Sequence, residues 1–106
     1  MPSGEQINSR MAKLINMVYY CEFDQSFAQT LVGDLKEIEL GELIHDELSL
    51  FDLLSVPYLI LSSMDGYRER SDSKAEDCDK IESICGEIYV LLKEKIVNSK
   101  FISKST

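Results

Sequence analysis

The sequence predicts an all-α fold: a single-domain four-helix bundle whose third helix is kinked and buried at the centre. Three observations lead there. Apolar residues recur at offsets of three and four in four successive stretches, the spacing of one helix face. No stretch alternates apolar and polar residues with the period of two that a half-buried strand requires. Finally, 44% of the 106 residues are hydrophobic, which is enough for one core in a chain too short for two.

The first helix is expected over 5–20, where Ile7, Met11, Leu14, Ile15 and Val18 share a face. The second is expected over 24–36. Asp24 is placed to accept hydrogen bonds from the free N–H groups of the first turn, with Phe23 before it and Ala28 one turn on. Phe27, Ala28, Leu31, Val32 and Leu35 form its stripe, which Gly33 weakens near the end. The aromatic cluster Tyr19, Tyr20, Phe23 and Phe27 between these helices reads as core packing.

Gly41 separates the third helix, expected over 42–64. Leu43, Ile44, Leu48, Phe51, Leu54, Tyr58 and Leu61 recur along one side, and Leu50, Leu53, Val56 and Ile60 fill much of the other. A helix apolar on most sides belongs inside a bundle. Pro57 removes a backbone donor, so the helix kinks there or restarts with Ser55 as its cap. The polar residues of 48–64 argue for a buried helix and against a membrane span. A polar loop over 65–72 follows.

The fourth helix is expected over 73–98, opened by a capping box of Ser73 and Glu76. Cys78, Ile81, Cys85, Ile88 and Leu92 make its inner stripe, with Ile84 and Leu91. Lys93 and Lys95 suit the negative end of its dipole. Gly86 costs about 1 kcal/mol in a helix interior, offset by a close-packed neighbour or simply tolerated. Residues 99–106 read as a polar tail. The three cysteines, Cys21, Cys78 and Cys85, show no paired spacing and are expected to be reduced thiols. Met1-Pro2-Ser3-Gly4-Glu5 lacks the signature of a signal peptide, so a cytoplasmic location is expected.

Charge is the most informative feature. The formal net charge is −8, which disfavours nucleic acid as a partner. It is concentrated: residues 21–60 hold nine acids and one base, Lys36. Glu39, Glu42 and Asp46 are spaced to share one face of a helix, and Glu47 and Asp52 follow. Ordinary surfaces intersperse both signs. A one-signed stretch therefore reads as a docking patch for a basic protein, set against the plain alternative of a solvated face. Tyr67, placed in the polar loop, joins the five acids as an expected partner contact, since tyrosine beside charge is a common interface anchor.

Catalytic and metal sites are not expected. His45 is the single histidine and has no partner at a ligand or nucleophile spacing. The acids do not alternate around a glycine as a calcium loop requires. No cofactor, metal or enzymatic activity is expected.

The order of features resembles one known group. An amphipathic first helix leads into Glu22-Phe23, which opens a short second helix. The third carries Leu50-Phe51-Asp52-Leu53-Leu54 and ends near Met64-Asp65-Gly66-Tyr67, and a capped amphipathic helix follows. Over 7–92 this resembles the colicin-D-type immunity proteins and related immunity proteins of contact-dependent inhibition systems. Pro57 departs from a plain bundle. The resemblance implies a small acidic cytoplasmic protein, monomeric until it binds, that neutralises a toxin nuclease domain by covering its basic substrate cleft. The rival class is an acidic adaptor or secretion chaperone, which would dimerise through an apolar surface or join a larger assembly.

Overall fold

The structure is a computed structural model that describes residues 3–69 and 73–98, with the backbone alone at Glu47, Ser73 and Lys74. The expected polar tail 99–106 and the end of the expected loop at Asp72 lie outside the described residues. All the regular elements among those residues are helices, and no strand occurs among them.

Helix α1 spans Gly4–Tyr19, opened by a capping box in which Ser3 and Gln6 bond each other's backbone N–H groups. Its end is fixed as firmly. Cys21 takes a left-handed φ of 58°, and the Glu22 and Cys21 N–H groups return to Met17 O and Val18 O. This reversal satisfies carbonyls that the helix leaves free. Helix α2, Gln25–Glu37, starts on the expected cap, with Asp24 accepting from the Phe27 N–H. Arg10 and Asp34 tie the two helices at 2.6 Å.

The expected third helix is divided. Gly41 does not separate elements but sits inside a one-turn helix α3, Leu40–Leu43. The backbone of Ile44 and Asp46 is then extended, which breaks any helix across 42–64. Helices α4 (Glu47–Leu54) and α5 (Val56–Ser62) follow, joined at Ser55 with Pro57 in the first turn of α5. The expected polar loop holds another turn, α6, Asp65–Arg68. The last helix, α7, spans Asp77–Val97 after a 3₁₀ turn at Ser73–Glu76. Its α-helical part thus starts four residues after the expected start at residue 73, and Glu76 at its N-cap makes no side-chain cap bond. The Ser73 side chain lies outside the described residues.

Helices α1, α2, α7 and α5 close a ring, each packing against two of the others, with α3 seated on α1. The core inside the ring includes Ile7, Leu14, Leu31, Leu35, Ile60, Ile81 and Ile88, all 1% exposed or less. Gly4 is where α3 and α1 approach most closely: a Cβ there would lie 1.6 Å from Glu42 O. Gly86 is the reverse case. A Cβ on it meets nothing within 4 Å, so no neighbouring helix accounts for this glycine. Lys95 reaches across from α7 to cap α2, donating to Ile38 O and to Lys36 O. Its charge faces the negative end of α2 as well as that of its own helix.

The largest reversal concerns α4. It was expected at the centre and packs mainly on α5 at the edge of the ring. Of its two apolar rows, one is buried and the other faces outward. Leu53, Val56, Ile60, Met64 and Tyr67 form the buried row through α4, α5 and α6, and Leu48, Phe51, Leu54, Tyr58 and Leu61 face outward. Tyr19 and Tyr20 are also exposed rather than core, set edge to face at 4.9 Å.

Candidate protein interface

The outward row on α4 and α5 is the most unusual surface of the molecule. Leu48 is 71% exposed, Phe51 67% and Tyr58 71%, with Leu54 and Leu61 about half as accessible. Single apolar residues on a surface need no explanation, but a continuous helical row of five is what partner-binding helices carry. Beside it, Leu54 and Pro57 join Tyr89, Leu92, Lys93, Ile96 and Val97 of α7 around a shallow hollow of about 220 Å³. Apolar surface therefore continues from α4 onto the last two turns of α7.

The acids of 39–52 do not form the single helical face that their spacing suggested. Glu39 precedes α3, Glu42 lies on it, and Asp46 caps α4 beyond the extended break. Those three and Asp52 are exposed. The Glu47 side chain lies outside the described residues. Between 39 and 52 the sequence has five acids and no Lys or Arg, so this segment is negative throughout, while Lys93 lines the hollow beside the row.

Asp46 has a structural task as well. Its Oδ1 accepts from the Ser49 N–H at 2.8 Å, and Ser49 Oγ accepts from the Asp46 and His45 N–H groups. The Ser49 bonds hold the Asp46 carboxyl below its ordinary pKa. The signal was present in Asp46-Glu47-Leu48-Ser49, but serine stands where a capping box normally has Glu or Gln.

Tyr67, expected to touch a partner, is instead fully buried. Its hydroxyl accepts the Phe23 N–H at 2.7 Å and ties α6 to the turn between α1 and α2. Its helical spacing from Ile60 and Met64 carried that information; the polar neighbours Asp65, Gly66 and Arg68 hid it.

His45 is exposed. Cys85 is buried, and burial, reinforced by Glu82, raises its thiol pKa, which disfavours the reactive thiolate. Its Sγ–H points to Pro57 O at 3.2 Å. No group of three or more potential metal ligands occurs among the described residues. The run Leu48–Arg68 is long and apolar enough to span a bilayer by composition, with a mean hydropathy of 1.3. In the structure it is three consecutive helices, whose inner row is core.

Comparisons with protein families, with curated proteins and with solved structures yield no match to this chain.

Proposed function

We propose that this chain is a protein-binding module that captures a basic partner through the outer row of α4 and α5 and the acids around it. In its narrower form, the partner is a toxin nuclease domain and the chain is the immunity protein that blocks its cationic substrate cleft. The observation that carries the reading is the exposed row Leu48, Phe51, Leu54, Tyr58 and Leu61. Burying such a row supplies affinity, and the surrounding negative potential speeds encounter with cationic surfaces and rejects anionic ones.

The same row supports a second reading, an adaptor that dimerises through it. Charge weighs against that. A two-fold pairing would bring the five acids of 39–52 on each copy towards their counterparts, with no Lys or Arg in either segment.

Two measurements separate these readings. Light scattering after gel filtration should give a monomer, and a stable dimer would favour the adaptor. The reading frame adjoining this gene should arrest growth when expressed alone and lose that effect beside this chain. A harmless neighbour, or one equally toxic in its presence, would remove the immunity reading. Phe51→Ser and Glu42→Lys should each impair protection while leaving the fold intact.

A further inference from the structure

Helix α1 turns its two cations to one side. Arg10 pairs with Asp34 of α2, and Lys13 lies over the Phe27 ring, 5.1 Å from its centroid. The other side of α1 faces α4 and α5 across a groove of about 400 Å³. Met11 and Ile15 form one apolar wall, and Leu53, Val56 and Leu59 form the other. The neutral polar groups lining it are already engaged: Asn8 donates to Leu43 O, Ser49 serves the α4 cap, and Ser55 donates to Asp52 O. Asp52 is the one ionisable residue of the lining, and its exposed carboxylate has no hydrogen bond or ion pair among the described residues.

An apolar trough with a single uncommitted carboxylate, and no cation among the described residues of its lining, matches one kind of occupant. Long cationic side chains bury their methylene stems against apolar walls and keep the charged tip on an acceptor. We infer that the α1–α4 groove is the anchor for an arginine or lysine side chain of the protein partner. The stem lies between Ile15 and Leu59, and the charge sits on Asp52. This rests on the proposed capture of a basic partner and adds the position and chemistry of one charged contact beside the outer row.

The test uses n-butylguanidinium as the probe, with n-butanol and guanidinium chloride as its apolar and ionic halves, followed by amide shifts in NMR. The expected result is saturable change at Ala12, Ile15, Leu53 and Leu59 with the whole probe, and much weaker change with either half. Asp52→Asn should weaken binding roughly tenfold or more, the usual weight of a hydrogen bond to a charged group. Ala12→Phe, which fills the groove without altering charge, should abolish it, with circular dichroism confirming that both variants fold. Shifts spread evenly over all the acids, or equal binding by Asp52→Asn, would overturn the groove assignment. If the probe binds but the neighbouring gene product is harmless, the immunity reading fails and the groove's chemistry stands. If a toxin is neutralised equally by wild type, Asp52→Asn and Ala12→Phe, the reading stands and the groove is not its anchor.

Discussion

Helices α1 and α4 make an instructive pair. By sequence α4 is the more apolar: Leu48, Leu50, Phe51, Leu53 and Leu54 crowd eight residues, whereas α1 spreads a narrow stripe through polar surroundings. Yet α1 buries Ile7, Met11, Leu14 and Val18 of its stripe fully and Ile15 in part, and α4 leaves Leu48 and Phe51 mostly in solvent. Burial is decided by neighbours and not by apolar content. α1 has α2, α3 and α5 around it, while α4 has mainly α5. A helix richer in apolar residues than its surroundings can cover has surface that serves something other than its own fold.

The sharpest way to break this contrast is to truncate one side chain from each helix. Leu14→Ala removes a fully buried side chain at the middle of α1, and unfolding should cost about 3 kcal/mol less. Phe51→Ser should stay within about 0.5 kcal/mol of wild type, because its ring is already in water. Urea denaturation of the two variants decides it. A large loss from Phe51→Ser would mean that the row is folded away in solution and is not an interface.

Tyr67 sharpens the contrast at intermediate scale, since it was taken as surface and is core. Tyr67→Phe keeps the packing and strands the Phe23 N–H, so a loss of about 1 kcal/mol is expected in the same measurement. No change would leave the hydroxyl without a structural role.

These outcomes mark what the chain made legible. The α1, α2 and α7 stripes, and the Asp24 cap, could be read because one apolar face stood against polar ones. In α4 and α5 both rows are apolar, so periodicity identified the helix and left open which row faced inward. The row containing Leu48, Phe51 and Tyr58 is bulkier and more aromatic than the buried one, so side-chain type did not decide it either. The break at Ile44 was hidden because two apolar residues sit where a turn signal would normally be. Of the candidate site, the negative segment was legible from composition. Its division between α3 and the α4 cap, and the groove against α1, depend on three-dimensional packing.

Gly86 gives a smaller effect of opposite sign. It is exposed, its φ is ordinary, and an added Cβ meets nothing within 4 Å. Gly86→Ala should therefore stabilise the protein by about 0.5–1 kcal/mol through helix propensity and a less disordered unfolded chain. A loss of stability would mean that another molecule or segment packs there.

The smallest effect tests how α4 holds its place. With its outer row in water, α4 has less burial to fix it than α1 and depends more on its first turn, where Asp46 and Ser49 bond reciprocally. The Asp46 pKa is lowered in the folded chain, chiefly by the Ser49 N–H and hydroxyl. The sign follows from linkage. A carboxyl with a depressed folded pKa contributes stability above its unfolded pKa, and that contribution disappears as pH falls through the folded value. Acidification below the ordinary carboxylate range should therefore loosen the start of α4 before the ring of α1, α2, α5 and α7 opens. Amide signals of Leu48, Ser49 and Leu50 should move together along one titration curve with a midpoint below that of a free aspartate, while Leu14 and Leu31 stay fixed. In Asp46→Ala those three amides should look acid-loosened at every pH. If α4 instead melts together with Leu14 and Leu31, it is bound to the core more tightly than its exposed row implies, and the contrast between the two helices collapses.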